Sequence, residues 1–381
     1  MGKDMKTKGI NAGIFAGAFL ISLGYCLLLH SLGLFGGDSG FYVAEAKEIL
    51  SGGPAYYARH IATPYYWGYP TFLAVCMVFV GENWTAVALV QIFLSAVSTV
   101  LLFQVIKDVT GSTGQAAGLA LFYKIILDVS MWDGRILSDS LGMTLECMTL
   151  YFFYMGLRDK KRRDKILFAV SAVLFFMTRT NSISLLIVLF GTVFLTLPKK
   201  KRCVVGTFIA LILVIAAAGL FIAGDNEAHG LGSRVEYFRD YYLQGNIVNG
   251  RPEYSYKVPA GHVDSPLFLW DIVLMVLLKT VYYWSICFKG YSMVHILICF
   301  ATILPVFLLT LFSIICIIKD KVKQLYPFVA GIASYSFIQI CTEVDFDMRY
   351  RAPVFLLCVI CSGYGVKKLC LLMRNYRNEK I

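Results

Sequence analysis

Long apolar blocks alternate with short polar ones along the whole of this chain. A helix needs about 20 mostly apolar residues to cross a hydrocarbon core about 30 Å thick. The blocks Ile10–Phe35, Thr85–Ile106, Gln115–Trp132, Ser138–Leu157, Cys203–Ala223, Met293–Ile318, Leu325–Cys341 and Ala352–Met373 each predict a spanning helix. Ile10–Phe35 follows Lys3, Lys6 and Lys8. It is too long for a signal-peptide core and has no small-residue cleavage pattern, so it reads as a retained first span.

Three further segments need charge to decide them. Ile166–Leu197 carries Thr178-Arg179-Thr180-Asn181 at its middle and is flanked by the basic clusters Arg158–Lys165 and Lys199–Arg202. Two more basic clusters lie at Lys319–Lys323 and Lys367–Lys380. Lys and Arg concentrate on the cytoplasmic side of a membrane. One long helix would strand a cluster outside, whereas two short helices turning near Arg179 keep both inside. Each arm offers roughly 18–22 Å of apolar helix, which sets Arg179 below the outer surface. Tyr69–Val80 is about 18 Å long as a helix, short for a crossing. Leu269–Cys287 contains Asp271 and Lys279, and its crossing would flip the Lys319–Lys323 cluster outward. Both predict helices in the outer interface, anchored by Trp67, Trp270, Tyr282, Tyr283 and Trp284. The expected fold class is an all-α polytopic membrane protein of about ten transmembrane helices. Both termini lie in the cytoplasm, the large exterior loops are 36–84 and 224–290, and residues 1–381 form one domain without internal repeat.

Composition agrees. The chain is 58% hydrophobic, 15% aromatic and 15% charged, with a mean hydropathy of +0.68. Soluble domains carry roughly 25% charged residues, so an ordinary cytosolic enzyme, a disordered chain and a disulfide-stapled module are excluded. The net charge of +11 comes with no nucleic-acid-binding motif and reads as an orientation signal; the partner is a bilayer, not a nucleic acid. The 11 cysteines sit nearly all in apolar helices, where a small apolar packing role is the ordinary one. Cys358 and Cys361 have metal-site spacing but no partner pair. Asn83-Trp84-Thr85 matches a glycosylation sequon.

The candidate chemistry lies in the loops. Asp38 stands just outside the first span and opens a short helix ending in Gly52-Gly53-Pro54, with Tyr42, Ala46 and Ile49 or Leu50 on one face. A carboxylate there either caps the helix or is held for chemistry. Asp139 opens the fourth span in the same way. Two acids from distant loops thus share one membrane face, accompanied by Arg135, Arg179, Arg349 and Arg351. An arginine at depth costs on the order of 2.5–3.5 kcal/mol and marks a site, while one at the interface can snorkel to lipid phosphates. Glu45, Glu48, His60, His229 and His262 are exterior metal-ligand candidates without a compact ligand spacing, so a divalent metal stays open and no other cofactor is expected. Tyr56, Tyr57, Tyr65, Tyr66, Trp67 and Tyr69 suit sugar stacking and an interfacial belt equally. Lys124 and Asp128 stand four apart and would neutralise one another on one helix face. Glu146 in the fourth span has no evident partner.

The first loop, with its acid, its tyrosine four residues on and its closing glycine, resembles that of the GT-C glycosyltransferases, which take sugars from polyprenyl-phosphate carriers. Tyr69-Pro70-Thr71-Phe72-Leu73 resembles the family's Y-P-P-L segment, with Thr71 replacing the second proline. Gly81-Glu82-Asn83-Trp84, Gly134-Arg135-Ile136-Leu137-Ser138-Asp139, Met177-Thr178-Arg179-Thr180 and Met348-Arg349-Tyr350-Arg351-Ala352-Pro353 follow in the family's order. The likeness covers about residues 10–365 and is nearest to the protein O-mannosyltransferase and aminoarabinose-transferase relatives.

That resemblance implies a membrane enzyme with an exterior active site in the cell envelope, moving a sugar from polyprenyl phosphate to a glycan, lipid or protein acceptor. Asp38 and Asp139 would be catalytic. Arg179, Arg349, Arg351 and Arg135 would hold the donor phosphate, and Tyr42, Tyr69, Trp67 and Tyr350 would contact substrate. Two other functions remain in view. A polymerase or ligase of lipid-linked oligosaccharides would use a similar exterior basic cavity, with Arg234, Arg239 and Arg251 of Gly224–Phe268. A transporter or flippase would show repeated halves and helices broken at the midplane.

Overall fold

The computed structural model describes residues 2–29, 33–61, 63–202, 239–240, 242–245, 247–248, 251–289, 291–342 and 348–379. Its regular structure is helical. In chain order α1 is Gly2–Leu28, α2 Ser39–Gly52, α3 Pro54–Arg59, α4 Gly68–Val80, α5 Trp84–Thr110, α6 Thr113–Ile125, α7 Leu127–Ser130, α8 Ser138–Arg158, α9 Arg162–Thr178 and α10 Ser182–Thr196. Later helices are α11 Leu267–Tyr283, α12 Met293–Lys319, α13 Tyr326–Thr342 and α14 Ala352–Glu379.

Local chemistry explains the boundaries. Asn83 caps α5 by accepting a hydrogen bond from the Ala86 N–H at 3.1 Å, the use to which the sequon's asparagine is put here. α5 stops at Gly111, whose φ of +72° is a left-handed conformation that glycine adopts without a Cβ penalty. α9 ends where Arg179 turns extended (φ −146°, ψ 130°), and α10 restarts at Ser182. The turn expected near Arg179 is therefore present.

The segment Gln115–Trp132 differs from expectation. Ile126 takes an extended conformation (φ −62°, ψ 117°) and separates α6 from the single turn α7. This corrects the neutralisation expected between Lys124 and Asp128, because the break removes the shared face. Lys124 Nζ meets Asp133 Oδ2 at 2.5 Å and Arg351 Nη2 meets Asp128 Oδ2 at 2.8 Å.

Among the described residues, four helices are long and apolar enough to cross a membrane by length and composition: Thr7–Leu28, Trp84–Thr110, Met293–Lys319 and Ala352–Asn378. They fit an integral membrane protein. The apolar helix α10 is shorter, at 15 residues, and α6, α9 and α13 have 13, 17 and 17. The expected span Cys203–Ala223 lies outside the described residues.

The chain divides into two units. The first comprises 1–186, 286–335 and 351–381. In it α8 is the axial helix, buried along most of its length, with α5 and α9 packed on it, α1 and α6 against α5, and α14 against α12 and α5. α2 and α4 pack on each other, and α4 rests on α9. The second unit, 187–285 and 336–350, holds α11. There the Tyr256 hydroxyl donates to Asp271 at 2.6 Å and His262 Nδ1 lies 2.9 Å from the other carboxylate oxygen. These contacts, Tyr256 first, hold the Asp271 carboxyl below its ordinary range. Lys279 stands 5.3 Å from the centre of the Tyr242 ring. Both charges that marked Leu269–Cys287 in the sequence are thus accommodated inside this unit.

Candidate active site

Asp38 begins α2, yet its side chain makes no capping hydrogen bond. Ser39 Oγ instead braces the turn that leads into the helix, accepting from the Gly36 N–H at 3.0 Å and donating to the Gly36 carbonyl at 2.7 Å. Asp38 is exposed, and its carboxylate is not spent on capping α2.

One turn on, Tyr42 points inward and is buried. Its hydroxyl lies 3.1 Å from Ser138 Oγ, at the start of α8 and beside Asp139. Burial pushes the Tyr42 phenol up; Ser138 and Arg179 act to lower it, while Asp139 and Asp38 raise it further. Tyr42 therefore feels both acids and the arginine at once, and marks the point on which α2, α8 and the α9–α10 turn converge.

Asp139 and Arg179 form a buried ion pair with Nη1 to Oδ1 at 2.6 Å. Gly142 lets the arginine pass. A Cβ there would collide with Arg179 Cδ and lie 2.9 Å from Cγ, so the guanidinium runs along a bare strip of α8 to reach the carboxylate one turn back. The Arg179 carbonyl is capped by Ser182 Oγ at 2.6 Å. Burying two charges is costly unless they are paired closely, and this pair is.

Behind Tyr42 a hydrogen-bonded chain fixes the floor. Tyr69 stacks edge-on against Tyr42 with ring centres 4.9 Å apart, and donates to Gln91 Oε1 at 2.7 Å. Gln91 donates in turn to the Arg135 carbonyl at 2.7 Å. Tyr69 is fully buried, so it supports Tyr42 rather than offering a face of its own. Arg135 lies over Trp132, 5.4 Å from the ring centre, and a Cβ on Gly36 would sit 3.3 Å from its Nη1. Its guanidinium thus stands against the backbone two residues before Asp38.

The remaining sequence-selected residues have contacts of their own. Arg351 is buried with Asp128, between Phe307 and Phe355 at 5.9 and 5.5 Å from the ring centres. Arg349 and Tyr350 belong to the second unit, where the guanidinium stacks 5.1 Å from the Tyr350 ring centre and donates to its hydroxyl at 3.2 Å. Trp67 donates its indole N–H to the His60 carbonyl at 3.0 Å. Of the metal-ligand candidates, Glu45, Glu48 and His60 come together, His262 is engaged with Asp271, and His229 lies outside the described residues. Cys358 and Cys361 are buried in α14.

Sequence reasoning passed over Gln91, Ser138 and Asp133. Gln91 had a signal, as one of two amides, with Gln104, in a largely apolar span. Asp133 receives Lys124 Nζ, Ser22 Oγ at 2.7 Å and Ser140 Oγ at 2.9 Å, and so pins α1, α6 and α8 just beneath the site. Glu146 is fully buried, and neither carboxylate oxygen has a hydrogen-bond partner among the described residues. A cavity of about 460 Å³ opens at the other end of α8, lined by Lys107, Arg158, Lys161 and Arg163 among others, and contains none of the site residues.

A family model described as dolichyl-phosphate-mannose-protein mannosyltransferase matches residues 67–223, roughly two-fifths of the chain. The match supports the GT-C glycosyltransferase superfamily and takes in Tyr69, Arg135, Asp139 and Arg179. Among curated proteins none matches the chain.

Proposed function

We propose that this chain is an integral-membrane glycosyltransferase of the GT-C type, with about ten spans and its site on the exterior face. It transfers one sugar from a polyprenyl-phosphate carrier to a hydroxyl of a glycan, lipid or protein acceptor. The observation that carries the reading is an exposed Asp38 that does not cap α2, near Tyr42 and the buried Asp139–Arg179 pair.

In the reaction Asp38 takes the proton of the acceptor hydroxyl. The acceptor oxygen bonds to the anomeric carbon, the bond from that carbon to the phosphate oxygen breaks, and its electron pair leaves with the polyprenyl phosphate. Negative charge grows on that oxygen, and preorganised cations near it lower the barrier. Arg135 stands nearest the Asp38 loop, while Arg179 retains donors beyond the one given to Asp139. A planar guanidinium can bind two phosphate oxygens together. Asp139 then acts through Arg179, setting its direction.

The test is Asp38→Asn in membranes supplied with labelled polyprenyl-phosphate sugars. Removing a general base typically costs 10²–10⁴-fold, so transfer should fall by about that factor with the protein still folded. Unchanged transfer would remove Asp38 from the chemistry.

A further inference from the structure

Glu45 and Glu48 lie one turn apart on α2, and His60 caps the C-terminus of α3. The Gly53 kink, at φ +53°, folds α3 back so that one ligand atom from each of the three residues lies within 4.8 Å of the others. All three are half-buried.

The hydrogen bonds around the cluster define what it lacks. His60 Nδ1 faces the Tyr56 carbonyl at 3.0 Å. A carbonyl only accepts, so Nδ1 carries the proton, and the Nε2 of the neutral ring presents a lone pair. That lone pair faces Glu45 Oε2 at 4.0 Å, too far for a hydrogen bond. An imidazole held by a backbone carbonyl through one nitrogen, with the other turned to carboxylates, is the usual outer-shell arrangement of a metal-bound histidine. Tyr56 donates to Glu45 at 2.5 Å and orients that carboxylate likewise. Arg59, itself largely exposed, binds Glu48 through Oε1 at 2.8 Å.

We propose that Glu45, Glu48 and His60 bind one divalent transition-metal ion, Zn²⁺ by preference, which ties α3 to α2. One imidazole and two carboxylates suit zinc, whereas magnesium and calcium take oxygen ligands. Atoms on a tetrahedral zinc lie roughly 3.3 Å apart, so the 4.0 Å between His60 and Glu45 closes by a small side-chain rotation. Three protein ligands leave the fourth position to water. The ion lies about 10 Å along α2 from Asp38, and its role is to hold the corner of the loop that presents Asp38. The inference stands apart from the transferase reading, and its test uses no sugar transfer.

Purified full-length protein, without an affinity tag, is dialysed against Zn²⁺ or Co²⁺ and its metal content measured. One ion per chain is expected. Glu45→Gln, Glu48→Gln and His60→Ala should each weaken binding by roughly 100-fold or more, since loss of an outer-shell partner alone costs 10–100-fold. Folding is followed by size-exclusion profile. His60→Cys supplies the second readout: a thiolate at that position should give the Co²⁺ protein a thiolate-to-cobalt charge-transfer band that the parent lacks. Equal metal content in parent and carboxamide variants, or cobalt bound to His60→Cys without that band, overturns the site.

Discussion

Arg179 reaches Asp139 only because residue 142 has no side chain. The arginine's methylenes lie where a Cβ would stand, and the resulting ion pair is shut away from solvent. Asp139→Asn leaves a buried guanidinium without its counter-charge, a loss typically worth about 3–5 kcal/mol, and should lower the thermal midpoint in detergent sharply. Gly142→Ala should reproduce the defect in milder form with both charges intact. A normal melting temperature and normal transfer in Gly142→Ala would show that the pair does not depend on this close approach. At this scale the sequence was partly legible. Asp38, Asp139 and Arg179 stood out as charges at the mouths of apolar helices, where each must be neutralised or used. What pairs with what was not legible, because the partners lie forty residues apart and the permissive glycine looks like any other.

At the scale of elements, helical arithmetic holds while the helix does. Spacing by four puts two residues on one face, but one extended residue at Ile126 rotates Asp128 away from Lys124 and gives each a different partner. The sequence contains no proline or glycine at the break. Ser130 Oγ, donating to the Lys124 carbonyl at 2.6 Å, caps the end of α6 that the break exposes. A double-mutant cycle separates the two pairings. Lys124 and Asp133 should couple by about 1.5 kcal/mol or more, and Lys124 and Asp128 by less than about 0.5 kcal/mol, read from unfolding in detergent. The reverse order would restore the continuous helix. The contact of α4 with α9 is equally tight, since a Cβ on Gly68 would lie 2.8 Å from the Met177 carbonyl oxygen. Gly68→Ala should therefore destabilise by roughly 1–3 kcal/mol and, by shifting the residue before Thr178, reduce transfer as well. Loss of neither would mean that α4 gives way instead.

At the scale of the whole molecule, charge sorts to the two ends of one helix within the first unit. α8 starts at Ser138, against Tyr42 and beside Asp139. It ends at Arg158, paired with Asp108 at 2.8 Å and Asp159 at 2.6 Å. Its 21 residues rise about 31 Å, close to the thickness of a hydrocarbon core. The candidate site and the basic cluster Arg158–Lys165 are thus a membrane's width apart along that axis. A second basic turn, Lys319–Lys323, follows α12, where Lys368 meets Asp320 at 2.6 Å. The buried acids explain why α8, despite its length, is not among the four apolar helices: its polar residues face packed neighbours rather than lipid. The proposed orientation rests on the preference for Lys and Arg on the cytoplasmic side. In a cysteine-less background, Ser51→Cys near the end of α2 should react with an impermeant maleimide applied to intact cells. Lys321→Cys should react only after permeabilisation. Labelling of Lys321→Cys from outside would overturn the proposed ten-span topology.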